Sequence, residues 1–219
     1  GWDESVDRRK GVFDYRRSGK ADAWNQVVMK GRQIRIGLPM AQECVAVSGA
    51  AKYVDIDLEA LENNAVPNSE YARSLDVTRE SYGSWKDAAS GSTIPVLDCY
   101  RISWRLMAQV KNARSLFVAI LPPDAAHING IQSVGPVRRY EDLVAAANLS
   151  TLAMDFIVRS AGYSNLYPSS VLSLPFVQDA KLDKIMGGLF LRLNALTDAY
   201  APLWRQMTGE EWQYDTPFR

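Results

Sequence analysis

Between Tyr100 and Leu121 two apolar runs of different character flank a polar link, and this pair constrains the fold more than any other segment. In the first run Tyr100, Ile102, Trp104 and Leu106 share one parity, and Arg101, Ser103 and Arg105 share the other. A period of two belongs to a strand, because successive side chains leave opposite faces. This strand therefore has one apolar and one basic face. The second run, Leu116 to Leu121, is apolar at both parities and reads as a strand buried on both sides. A short link around Lys111-Asn112-Ala113 joins them, which predicts a β-hairpin. Pro122-Pro123 ends the second strand, since proline donates no ladder hydrogen bond. A guanidinium-bearing strand backed by a buried one suits an anionic partner. Arginine can bond guanine or phosphate through two parallel N–H groups, so Arg101, Arg105 and Arg114, with Lys111, are the leading contact candidates.

Elsewhere the pattern changes from strand-like to helical along the chain. Residues 1–23 are charged and lack apolar periodicity, which predicts a loosely ordered lead-in. Partial alternation from Val27 to Met40 predicts a strand, and Val45–Val47 and Lys52–Ile56 predict two short strands around Ser48-Gly49. Leu58 to Asn63 suggests one helical turn. The polar stretch from Pro67 to Ser92 reads as a long irregular connection. Tyr140 to Ala161 has helical spacing and stops at Gly162. Ala180 to Gln206 predicts a second helix, with Leu182, Ile185, Met186, Leu189, Phe190, Leu193, Leu196 and Tyr200 on one side. Gly187-Gly188 weakens its middle, and Pro202 bends its last turn. The fold class is α+β: a strand-rich first part with a central hairpin, then a helical C-terminal part. Boundaries fall at 1–23, 24–135 and 136–219.

Charge narrows the function classes. The net charge is zero, which argues against a uniformly basic nucleic-acid binder. Its distribution is uneven: from Arg8 to Arg35 nine basic residues face two acidic ones, a net +7. From Ala51 to Ser90 four basic residues face eight acidic ones, a net −4. This polarity permits one basic face, with Lys30, Arg32 and Arg35 as its further candidates. Asp55-x-Asp57-x-Glu59 lacks the glycine and distal glutamate of a calcium loop and reads as a solvated strand end. His127, the only histidine, has no evident nucleophile network and reads as a turn residue that bonds backbone. Asn129-Gly130 and Gly135 allow close backbone approach, yet no phosphate-loop lysine accompanies them. Cys44 and Cys99 lack metal or redox spacing and read as small buried residues of a reduced, cytoplasmic protein. No apolar run reaches the roughly 20 residues that span a bilayer, so no membrane role is expected.

Several of these segments together resemble a known family. Tyr100-Arg101, Trp104-Arg105, Arg114-Ser115-Leu116, Pro122-Pro123 and His127 are similar to an aromatic-Arg-x-x-Trp-Arg strand, an Arg-Thr/Ser-Leu-aliphatic strand ending in Pro-Pro, and a small-x-His turn. That pattern belongs to the C-terminal region of large adenine-N6 DNA methyltransferases from single-chain restriction-modification and phage-defence systems. Trp24-Asn25-Gln26-Val27 through Gly31, Asp155-Phe156-Ile157-Val158-Arg159 with Gly162, and Leu191-Arg192-Leu193-Asn194-Ala195-Leu196 with Tyr200 and Trp204 resemble its other motifs in the same order. Gly31-Arg32 departs from the family's Gly-Pro. The family's Asn-Pro-Pro-Tyr/Phe motif, which holds the target adenine, and its glycine-rich S-adenosylmethionine loop are both absent from this sequence.

The resemblance implies a target-recognition region that positions double-stranded DNA for a catalytic methyltransferase domain outside this sequence. That domain would flip out and methylate an adenine, with S-adenosylmethionine, and the parent could also cleave DNA. The chain alone is expected to be non-catalytic and to hold no cofactor. The alternative is a structural or protein-interaction module of the same defence protein. A nuclease is a weaker third reading, because no carboxylate-lysine motif supports it.

Overall fold

A computed structural model describes residues 1–16, 20–47, 50–74, 76–87, 90–109 and 111–213. Arg17 and the expected Ser48-Gly49 turn lie outside the described residues. The first part runs α1 (Val6–Arg9), β1 (Phe13–Tyr15), β2 (Val27–Met29), β3 (Gln42–Val47), β4 (Ala50–Asp55), β5 (Tyr71–Arg73), β6 (Ser84–Lys86) and β7 (Thr93–Pro95). Then come β8 (Arg101–Arg105), β9 (Val118–Leu121), β10 (Ala126–His127) and β11 (Ile131–Val134). Helices α2 (Tyr140–Leu149), α3 (Leu152–Ser160), α4 (Pro168–Leu172), α5 (Ala180–Asn194) and α6 (Ala201–Thr208) complete the chain. The fold is α+β, with strands in the first and middle parts and helices in the C-terminal part.

Two sheets matter for the site. One has the order β1-β5-β2-β10, with β2 and β10 parallel and the other pairs antiparallel. The other has the order β11-β8-β9 and is antiparallel throughout. Within it the hairpin register sets Arg101 opposite Leu121, Ser103 opposite Ala119 and Trp104 opposite Val118. Directly opposed residues share a sheet face. On one face Ile102, Trp104, Val118 and Ile120 pack with Leu143, Val158, Phe190 and Leu203 of the helices. On the other, Ala119, Leu121 and Ile131 pack with Val27, Met29 and Met40 of the first part. The expected apolar and basic parities of β8 are therefore present, but both faces are covered. The outer edge of β9 is also closed: Asn194 Oδ1 accepts from the Ile120 amide at 2.6 Å, and the Tyr200 hydroxyl donates to the Ile120 carbonyl at 2.8 Å. Gly37 donates its amide to the Val118 carbonyl at 2.8 Å. An edge strand capped in this way offers no free template for another chain.

Several local expectations are corrected. The segment 1–23 is not a loose lead-in: Trp2 and Phe13 are buried, β1 pairs with β5, and Trp2 bridges to Ile128. Isolated anchors of this kind leave no periodic trace in the sequence. The Val27–Met40 strand stops after Met29, where Gly31–Gln33 forms a 3₁₀ turn and Arg35 bridges to Leu38. Leu58–Asn63 is not helical. The polar stretch after Pro67 contains β5, a strand flanked on both sides, with Tyr71 fully buried. The link between the hairpin strands runs from Leu106 to Phe117, longer than the short link expected around Lys111-Asn112-Ala113.

The two long helices are each broken. Thr151 caps α3 through a bond from the Met154 amide to Oγ1 at 3.3 Å, and the α2–α3 axis bends by 55°. A threonine that caps one helix ends the one before it. The helix from Ala180 ends at Asn194, and Pro202 sits in the first turn of α6, where its missing N–H costs nothing. Asp179 caps α5 by accepting from the Lys181 and Leu182 amides. No single described helix is long and apolar enough to cross a membrane.

Candidate functional site

Four of the seven basic candidates meet at one place. The 3₁₀ turn Gly31–Gln33 lies against the end of β8, so Lys30, Arg32, Arg35 and Arg105 are neighbours in space. Arg105 is the anchor. Its Nε donates to the Ile34 carbonyl at 2.8 Å, and its Nη2 donates to the Ile34 carbonyl at 2.5 Å and the Arg32 carbonyl at 3.2 Å. The guanidinium lies 4.1 Å from the centre of the Phe117 ring, a stacked cation–π contact. Its Nη1 makes no hydrogen bond among the described residues. Burial, then Arg35 and Arg32, push its pKa down to about 10, so it stays charged at neutral pH. Gly31 fits closely: a side chain there would stand 3.3 Å from the Gly130 carbonyl and 3.6 Å from Arg105 Cγ.

The members differ in how far they are neutralised. Lys30 is shared between Glu4 and Glu70, each at 3.0 Å. Glu70 also accepts from the Tyr53 hydroxyl, and Glu4 from the Tyr71 hydroxyl. Arg35 pairs with Asp55 at 2.9 Å, and both side chains are largely exposed. Arg32 is exposed, makes no ion pair among the described residues, and sits 5.9 Å from the Tyr53 ring centre. The net +7 and net −4 segments are thus folded onto each other through Lys30 with Glu70 and Arg35 with Asp55. What remains is a local excess of positive charge on Arg32 and Arg105. Chemically the cluster can bind an oxyanion; it contains no nucleophile paired with a base.

The other three candidates lie elsewhere. The parity of β8 predicts an exposed Arg101; the side chain is fully buried. Its Nη1 donates to the Val96 carbonyl at 2.9 Å and its Nη2 to the Ala125 carbonyl, which ties two loops across the sheet end. Burial lowers its pKa. Arg101 is therefore no contact residue, because the first-part strands cover the face it projects from. Arg114 is 13% exposed and donates to the Ser150 and Thr151 carbonyls at 2.7 and 3.0 Å. It caps the C-terminal end of α2, where a cation is favoured. Asp155 completes this staple: one oxygen accepts from the Ser115 and Leu116 amides at 2.6 and 2.8 Å, and the other pairs with Arg159 at 3.1 Å. Lys111 is exposed on the link nearby and makes no ion pair among the described residues.

His127 is fully buried in β10. Its Nδ1 stands 3.0 Å from the Ile128 carbonyl, so that nitrogen carries the hydrogen and Nε2 accepts from Ser133 Oγ at 3.0 Å. Burial, then the nearby Arg101, hold its pKa well below the usual value. Cys44 and Cys99 are both buried and free. Asp55 is occupied by Arg35 and Gln42, and no group of metal-ligating side chains occurs among the described residues.

The sequence does not announce Phe117, Tyr53, Gly130 or the Glu4–Tyr71 pair as parts of this site. They come from separate segments, and no spacing in one segment marks them. Set against protein families, curated proteins and solved structures, the chain matches none.

Proposed function

We propose that this chain positions double-stranded DNA for an adenine-N6 methyltransferase domain outside these residues, through phosphate contacts made by Arg32, Arg35, Lys30 and Arg105. The observation that carries this reading is the gathering of three guanidiniums around the Gly31–Gln33 turn, with Arg32 unneutralised and Arg105 held in place by backbone carbonyls. A fixed, partly desolvated cation with an exposed one beside it fits the division between register and capture of a phosphate. Lys111 would be a separate, peripheral contact. S-adenosylmethionine chemistry belongs to the catalytic domain, and the setting in this reading is a bacterial cytoplasm. Binding of a fluorescent duplex at low salt tests it. The wild-type chain should bind, and Arg32→Glu should abolish binding while the protein stays folded. Equal binding by the two would defeat the proposal.

A second reading, a structural or protein-interaction module, is favoured by a different observation. Lys30 and Arg35 of the first part are already neutralised, whereas Leu152, Phe156, Leu172 and Leu189 are exposed on the helices.

A further inference from the structure

The helix α5 has two apolar faces, and only one is covered by the described residues. Phe190 and Leu191 are buried in the helical core, and Tyr140 fills the space over Gly187, where a side chain would stand 2.8 Å from its hydroxyl. The other face carries Leu182, Ile185, Leu189 and Leu193, with exposures of 49, 50, 57 and 36%. Their spacing of three, four and four residues makes one stripe along the helix. It ends where Leu193 meets Gly37. Single exposed apolar residues are ordinary; a continuous helical stripe is a mark of an interaction site.

A row of Lys181, Lys184, Gly188 and Arg192 runs along one border of that stripe. The three cations are exposed, whereas Asp183, the only acidic residue within the helix, is half-buried toward Tyr140. Within α5 this border therefore carries cations only, while Glu141 of α2 and Asp183 line a pocket with Lys184. Gly188 stands in this row with open space above it, and its φ is not positive. Glycine weakens a helix interior relative to alanine, and none of the described residues requires one here. A missing side chain beside an apolar stripe lets a second backbone come close.

We infer that this stripe is the docking face for an amphipathic α-helix whose apolar seam is flanked by acidic residues. Charge complementarity selects the occupant. A second copy packed antiparallel would set one basic row against the other, and a second copy packed parallel would set each basic row against the opposite border, which carries no acidic row. A lipid surface would gain nothing from the gap at Gly188, which serves a partner with a backbone of its own. The stripe covers about three turns, the length over which helix-in-groove recognition places its anchors. This inference is independent of the DNA reading and uses none of its residues.

The test uses the full chain and two synthetic helical peptides with the same leucine seam, one flanked by glutamates and one by lysines. Fluorescence anisotropy should show the acidic peptide binding, and binding it roughly tenfold or more tightly than the basic one. Leu189→Glu should abolish that binding. Gly188→Leu should also abolish it while the melting temperature holds or rises, which separates docking from folding. Lys184→Glu combined with Arg192→Glu should reverse the preference between the peptides. Equal affinity for both peptides, or no binding of the acidic one, would overturn the inference. So would self-association of the chain by sedimentation that Leu189→Glu removes, or binding to phosphatidylserine vesicles in place of peptide.

Discussion

Strand β8 and helix α5 each present two faces of opposite character, and each inverts the simple assignment of apolar to inside and charged to outside. In β8 the face carrying Arg101 and Ser103 is buried as completely as the face carrying Trp104. In α5 four of the six apolar residues that share the expected core side are exposed. The period of two in β8 is present as the sequence predicts, and the helical period of the Ala180–Gln206 segment holds only as far as Asn194. What differs is the cover. The basic face of β8 meets the Val27–Met29 strand and the loops at Val96 and Ala125, whose carbonyls satisfy the guanidinium. The outer face of α5 carries the exposed stripe. Period tells which residues share a face; the number of faces that get covered depends on segments far away in the chain.

The largest effects should separate buried anchors from surface ones. Trp104→Ala should cost about 3–5 kcal/mol, since it empties a core site and strands the Leu166 carbonyl to which the indole donates at 2.7 Å. Asp155→Ala should cost a similar amount, about 3–5 kcal/mol, because two amides and two arginines share it as an acceptor. Urea denaturation reads both. If Asp155→Ala were neutral, the link before β9 would owe its shape to something other than this staple.

Arg101→Ala follows, at about 2–4 kcal/mol from the emptied volume and two orphaned carbonyls. An exposed arginine would cost well under about 1 kcal/mol, so this variant sharpens the comparison directly. A neutral Arg101→Ala would restore β8 as a surface strand.

A smaller effect is pH-dependent. The folded-state pKa of His127 is depressed below its ordinary value of 6.5. The unfolded chain therefore takes up a proton first as pH falls, so the stability that His127 contributes is present above about 6.5 and declines below it. The slope should approach about 1.4 kcal/mol per pH unit, the limit for one proton. His127→Asn should remove this slope between about pH 6.5 and 5, a window above the ordinary range of carboxylates. A wild-type stability that is flat across that window would contradict the buried neutral imidazole.

The smallest effect is at the stripe. Leu189→Ala should change stability by no more than about 0.5 kcal/mol, the range of surface substitutions. A destabilisation of several times that size would mean that Leu189 is packed, and α5 would then have no free apolar face.

Legibility followed the range of the interaction that decides each feature. The hairpin, the paired strands β3 and β4 and the helical C-terminal part could be read because their signals lie within a few residues. Strand β5 could not: only three residues long, in a polar stretch, it exists because β1 and β2 pair with it on either side. Among the site residues, Lys30, Arg32 and Arg35 are visible as a charged cluster in sequence, and Arg105 joins them only through the fold. Arg101 and Arg114 look like Arg105 in sequence. Backbone carbonyls, which no composition reveals, claim all three, and they differ in what else surrounds them.

In the proposed reading the Gly31–Gln33 turn and Arg105 form the anion-binding part of the molecule. The most direct test is the salt dependence of duplex binding by the wild type, by Arg32→Ala and by Arg101→Lys as a control at a buried site. The slope of log affinity against log salt should fall by about 1 in Arg32→Ala, because one fewer phosphate is neutralised. It should stay at the wild-type value in Arg101→Lys, as long as that variant remains folded. An unchanged slope in Arg32→Ala, or a slope that falls only in Arg101→Lys, would contradict the claim.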